Sequence, residues 1–210
     1  MADSIISTGG TGTFPYYDVD VCNLALSSIG NADNYVTATT LTNNSTKEGR
    51  LCNLWYHMVL KLALTQAQWK CSLVREYIKY DEVAEIGKDY GYVYTLPDDC
   101  LLIESISDDA DNENPDLAWK REGRLIYTDA YDTIYVTYVT SDNDSDELDV
   151  QFVNYLVASL ALAIAPSLMV DERTMVRLER NVKTALLMGL GADRKENYES
   201  KIPKWTKAGR

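Results

Sequence analysis

A chain of 210 residues with 46% hydrophobic content carries enough apolar material for one substantial core, or for a core with a sizeable insertion. Its net charge of −12 excludes a surface built to wind nucleic acid, which needs clustered Lys and Arg against the phosphates. The charge is uneven: Asp193–Arg210 holds six basic and three acidic residues, making it +3 against −15 for the rest. That tail is expected to meet a different partner from the body.

Residues 1–17 are Gly/Thr-rich and read as an extended N-terminal arm. The run Gly9–Gly12 lacks the Lys-Ser/Thr of a phosphate loop, so no nucleotide site is expected. Met1–Gly12 has neither the basic nor the apolar region of a secretory leader. From Asp20 the positions Val21, Leu24, Ala25, Ser28 and Ile29 follow helical spacing, and Gly30 supplies a stop. Residues 31–44 are polar and read as a loop. Ser45-Thr46-Lys47-Glu48 is expected to form a capping box, opening a helix with Leu51, Trp55, Met58, Leu62 and Trp69 on one core stripe.

The period then changes from 3.6 to 2. Ser72–Tyr80, Tyr92–Leu96, Cys100–Ser107, Leu117–Arg121, Arg124–Thr128 and Thr133–Thr140 read as six strands, with a tight hairpin at Glu122-Gly123. The acidic loops Asp108–Asn114 and Ser141–Glu147 should be solvated. Helix returns near Asp146, with Leu148, Phe152, Tyr155, Leu156 and Ser159 on one face. Its apolar run Leu156–Ala165 falls short of the ~20 residues of a membrane span and meets Pro166, so it reads as a core helix. A last helix starts at Asp171-Glu172, aligns Met175, Leu178, Val182, Ala185 and Leu186, and is expected to stop at Gly189 and Gly191. The fold class is α+β. An antiparallel helical bundle from the two chain ends, 18–70 and 144–191, carries a small β-barrel or β-sandwich at 71–143, and 192–210 forms an extended tail.

The residues that bear chemistry are sparse. Cys22, Cys52, Cys71 and Cys100 are scattered without a Cys-x-x-Cys pair, and His57 is the single histidine, so neither a zinc site nor a cofactor is expected. The cysteines read as buried free thiols in a reducing compartment. Asp142–Asp146 resembles the start of a calcium loop, but Glu147 replaces the turn glycine and Val153 the final glutamate. Asp98, Asp99 and Glu104 could form a carboxylate pair for glycoside hydrolysis, although Pro97-Asp98-Asp99 reads more plainly as a turn. A Ser-His-Asp triad would depend on His57, which has no serine elbow near it. The chain holds fifteen tyrosines against two phenylalanines, and nine of them crowd the strand region: Tyr77, Tyr80, Tyr90, Tyr92, Tyr94, Tyr127, Tyr131, Tyr135 and Tyr138. They suit a protein–protein contact surface, a carbohydrate-stacking surface, or simple β-propensity.

Taken in order, several phrases resemble the head-to-tail adaptor proteins of short-tailed bacteriophages, the tail tubular protein A type. They are Asp20-Val21-Cys22-Asn23-Leu24-Ala25-Leu26-Ser27-Ser28-Ile29-Gly30, Glu48-Gly49-Arg50-Leu51-Cys52, and Tyr92-Val93-Tyr94-Thr95-Leu96-Pro97-Asp98-Asp99-Cys100-Leu101. Gly123–Asp129, Ile134–Tyr138 and Leu160–Ala163 follow. The likeness covers about residues 18–190, and Trp69-Lys70-Cys71-Ser72 departs from the family's usual Trp-x-Phe-Ala. It implies a structural, non-enzymatic virion protein of the tail and neck, assembled in the bacterial cytoplasm as a twelve-fold ring between portal and tail nozzle. Tail fibres are a further candidate contact. DNA would pass through without specific binding, and no membrane is involved. The alternative is a tail-associated glycan or peptidoglycan hydrolase, since some relatives have been credited with that activity.

Two site expectations follow. Asp108, Asp109, Asp111 and Glu113 are candidate channel-lining residues, because an acidic wall repels phosphates and lets a duplex slide. Tyr198, Lys201, Ile202, Lys204, Trp205, Lys207 and Arg210 are candidate partner-binding residues, with apolar anchors in a basic segment that Pro203 holds extended.

Overall fold

Two acids, Asp18 and Asp20, sit in the first turn of α1 (Asp18–Ile29), where the exposed amides of a helix N-terminus favour negative charge. The computed structural model describes residues 18–81, 90–108, 117–141 and 148–196. The N-terminal arm at 1–17, most of the two acidic loops, and the calcium-like run Asp142–Asp146 lie outside them. α1 buries Val21, Cys22, Ala25 and Leu26, and Gly30 ends it in the left-handed conformation at φ 93°.

The segment 31–44 is not the loop expected. A short helix α2 (Ala38–Asn43) forms there because the Thr37 and Thr40 hydroxyls reciprocally satisfy each other's backbone amides. Asn23 fixes its approach, donating to the Val36 carbonyl at 3.0 Å and accepting from the Val36 amide at 2.8 Å. The next cap also differs from expectation. Thr46, not Ser45, caps α3 (Lys47–Thr65), accepting from the Gly49 amide at 3.0 Å. The Glu48 carboxylate reaches Asn31 instead. Gly49 is required for packing: a Cβ there would stand 2.8 Å from the Thr40 carbonyl.

α3 faces the core one position away from the stripe expected. Cys52, Tyr56, Val59 and Ala63 are buried, whereas Met58 and Leu62 are each 51% exposed. A helix held on two flanks centres its buried face between them, which moves Leu51 and Trp55 to the margin. Trp69 then folds back beneath α3. Its indole donates to the Ala63 carbonyl at 2.9 Å, and its ring packs against Phe152 and Tyr155 at 5.3 and 5.6 Å.

Six strands follow: β1 (Leu73–Lys79), β2 (Tyr92–Thr95), β3 (Cys100–Ser107), β4 (Trp119–Glu122), β5 (Leu125–Thr128) and β6 (Thr133–Thr140). They form two antiparallel sheets, ordered β1-β6-β3 and β2-β5-β4. Gly123, at φ 61°, supplies the β4–β5 turn. β1 and β6, first and last in sequence, pair from Leu73↔Val139 to Lys79↔Thr133. The chain therefore leaves the helices and returns to them along adjacent strands.

α4 (Val150–Ile164) begins later than Asp146 and buries Phe152, Val153, Tyr155, Leu156, Leu160, Ala161 and Ile164. Pro166 does not stop the helical path, because it occupies the first turn of a 3-10 segment, Ala165–Leu168, where its missing amide is no loss. By length and apolar composition Val150–Leu168 could cross a bilayer, so the shortness argued from sequence fails. Burial is the better argument, since α1, α3 and α5 all pack on α4. α5 (Glu172–Glu196) runs straight through Gly189 and Gly191 and into the segment from 192 read as an extended tail. Gly189 is a contact rather than a stop: a Cβ there would stand 2.4 Å from the Trp69 ring.

The fold is thus mixed α+β with two apolar clusters. Residues of α1, α3, α4 and α5 form one, which Trp69 and Val139 join. Tyr94, Leu96, Ile106, Ile126, Ile134, Val136 and Tyr138 form the other, drawn from both sheets.

Candidate functional site

The helical surface presents apolar side chains where solvent would favour charge. Along α3, Leu54, Met58 and Leu62 recur every four residues, one line on the helix, with Leu54 71% exposed. Met58 and Leu62 also wall a groove of about 320 Å³ between α3, α4 and α5, with Trp55, Tyr155, Leu162 and Val182. Ser159 lines the groove as a residue, but its hydroxyl is buried and has no hydrogen-bond partner among the described residues, at a cost of about 1–3 kcal/mol. On the opposite flank of α5, a second cleft is lined by Ser28, Asn154, Val157, Leu178, Ala185 and Met188. Arg177 donates to the Ser28 carbonyl at 2.9 Å, where the C-terminus of α1 favours a cation. Leu187 and Met188 beside it are 69% and 57% exposed.

The expected carboxylate pair separates. Asp98 is held by Arg124, and Glu104 is bonded to Gln68. Asp99 turns inward, where it accepts from the Thr140 hydroxyl at 2.5 Å and lies 3.3 Å from the Tyr138 hydroxyl. Glu76 approaches the same phenol at 3.2 Å. A phenol carries one proton and can donate to one carboxylate at a time. Burial and the two acids push the Tyr138 hydroxyl above its ordinary range, which keeps it a donor. Glu76 was absent from the sequence candidates because its partner lies 23 residues away. The β1–β6 register, which sets Glu76 opposite Val136, is what brings it near Tyr138.

The tyrosines divide. Tyr94 and Tyr138 are buried, and the Tyr94 hydroxyl donates to the Ala130 carbonyl at 2.7 Å. Tyr80, Tyr92 and Tyr131 pack together with ring centres 5.2–6.1 Å apart, and Tyr131 is exposed. Tyr77 stands exposed on β1. His57 is exposed on α3, edge-on to Tyr56. Among the described residues no group of three His, Cys, Asp or Glu is arranged to hold a metal.

Of the channel-lining candidates, Asp108 is exposed at the end of β3, and Asp109, Asp111 and Glu113 lie outside the described residues. So do all the tail candidates: Tyr198, Lys201, Ile202, Lys204, Trp205, Lys207 and Arg210. No protein-family model matches the chain, and no curated protein matches its sequence.

Proposed function

We propose that this chain is a structural head-to-tail adaptor of a short-tailed bacteriophage virion. In this reading its helices form an antiparallel bundle, and its two sheets form an inserted β-sandwich. Copies assemble into a twelve-fold ring between portal and tail nozzle, with DNA passing through the bore. The acidic body, with Asp108–Glu113 near the bore, keeps the phosphates from adhering. The basic tail from about residue 197, anchored by Tyr198, Ile202 and Trp205, grips the portal.

One observation carries the assembly part of this reading. The chain has two different exposed surfaces with apolar side chains, one along α3 and its groove and one on α5 at Leu187 and Met188, beside a cleft of mixed lining that includes Asn154, Asn181 and Thr184. When two unlike patches on one molecule meet between copies, the contact is head-to-tail, and repetition closes a ring where the rotation permits.

The test is molecular mass in solution, with and without a portal protein, for wild type and for Met58→Lys/Leu62→Lys. A ring, or portal-bound oligomer, that the double substitution disperses supports the reading. A monomer under every condition, or an oligomer indifferent to both lysines, ends it.

Among the described residues, the hydrolase alternative would draw on Glu76 and Asp99, which both meet the Tyr138 hydroxyl. Turnover of peptidoglycan or polysaccharide that is lost in Glu76→Gln and Asp99→Asn would establish it.

A further inference from the structure

Asp18, the first residue of α1, shares a cleft on one flank of α3 with Asn53, Tyr56 and His57. The other end of α1 lies at the α3 N-terminus, where Asn31 donates to the Glu48 carboxylate at 3.3 Å. The two helices are therefore antiparallel, and the α1 axis carried back past Asp18 points along the C-terminal half of α3. That half bears the exposed Met58 and Leu62 and the groove of about 320 Å³ between α3, α4 and α5. His57 and Met58 sit about 100° apart around the helix, so the outer face of α3, with the exposed Leu54 on it, separates Asp18 from the groove. Crossing a helix takes about 10 Å, or roughly three to four residues of extended chain, so Phe14 is within reach of the groove.

Composition singles out the same segment. From Ser4 to Tyr17 fourteen residues pass without a charge, in a chain that is 25% charged, and Phe14, Tyr16 and Tyr17 stand at the end nearest the fold. None of the residues lining the α3 groove is charged either. The segment Asp193–Arg210 is the poorer match, because its nine charges in eighteen residues would have to lose water to enter such a groove.

We propose that Phe14–Tyr17 docks across α3 of its own chain, with Phe14 in the groove and Tyr16 over Leu54 and Met58. Pro15 favours an extended Phe14, and its fixed φ lowers the cost of ordering the segment. Alternate side chains of an extended segment share a face, which turns Phe14 and Tyr16 together toward α3. Aromatic and proline residues on a short extended strand are a common way of filling an apolar groove. The docking stands apart from the adaptor reading. Within that reading the arm is the occupant before assembly, and a neighbouring copy must displace it to reach Met58 and Leu62.

The test uses the full chain, dilute enough to be monomeric by light scattering, with Phe14→benzoylphenylalanine as a photo-crosslinking probe. Irradiation and peptide mapping should show position 14 joined to Met58 or Leu62 within one chain. Phe14→Glu, which sets a charge against the groove, should raise the rate of Met58 oxidation by hydrogen peroxide severalfold, because the arm no longer shields the thioether. Met169, 88% exposed beyond the end of α4, should oxidise at the wild-type rate and so report an intact fold. Absence of a crosslink, linkage away from the groove, or linkage only between chains overturns the proposal. So does Met58 oxidising equally fast in the wild type and in Phe14→Glu. Neither readout involves a portal or a ring, so this proposal and the adaptor reading fail separately.

Discussion

The helices of this protein leave more of their apolar residues in solvent than its strands do. Between the two sheets, Tyr94, Ile126, Ile134, Val136 and Tyr138 turn inward, and of the strands' aliphatic and indole side chains only Leu102 and Trp119 are exposed, each by less than 40%, among the described residues. The helices hide a larger cluster around Trp69 and α4, yet leave Leu54, Met58, Leu62, Leu187 and Met188 more than half exposed. A half-buried sheet satisfies its apolar face once. A helix of the same composition can face two ways, and these helices have apolar surface beyond what one copy can cover.

Several substitutions sharpen or break that contrast. Trp69→Ala carries the largest expected effect, about 3–5 kcal/mol, since it empties the space between α3, α4 and α5 and removes the indole's bond to the Ala63 carbonyl. Chemical denaturation followed by a helix-sensitive signal should show it, and a loss under about 1 kcal/mol would mean that Trp69 does not organise the helices. Ile134→Ala should cost about 2–4 kcal/mol on the strand side. If the two regions are separable, amide exchange in that variant should quicken in β1 and β6 before α4; uniform quickening would mean one cooperative unit.

Gly189→Ala comes next, near 2 kcal/mol, because the added methyl overlaps the Trp69 ring by more than the helix gains in propensity. Stabilisation by this change would show that Trp69 can move aside. Tyr94→Phe should cost the least, about 1 kcal/mol for the lost bond to Ala130. It also tests alkaline behaviour. Burial first, then Asp132 and neighbouring tyrosines, raises the Tyr94 hydroxyl from 10.0 to about 12. The unfolded phenol ionises near pH 10 while the folded one resists, so this contribution is intact below pH 10 and lost as pH rises through about 12. The variant's stability should fall less steeply than the wild type's across that window, and identical slopes would exclude Tyr94 as a source.

The strands were the most legible part of the sequence. Alternation of period two has only two possible faces, so Cys100–Ser107 and Thr133–Thr140 are read to the residue. Helical faces are continuous, and a stripe read as Leu51-Trp55-Met58-Leu62 lies one position from the buried one. Gly189 and Gly191 carried a stop signal that packing overrode, because Trp69 needs the space at Gly189 and α5 continues past both. Two juxtapositions could not be read at all. Cys22 and Cys52 at one cleft, and Glu76 and Asp99 at the Tyr138 hydroxyl, depend on helix docking and on strand register, and neither leaves a local trace.

The pairing of β1 with β6 also sets an order of events during synthesis. Every strand is present once residue 140 has emerged, so both sheets can close while α4 is still inside the ribosome. α1 and α3 must wait, since the apolar face they need belongs to residues 150–164. The nascent helices are thus exposed for the time taken to translate the whole strand region. Formation of the β1–β6 ladder then delivers α4 beside α3, turning a remote encounter into a local one.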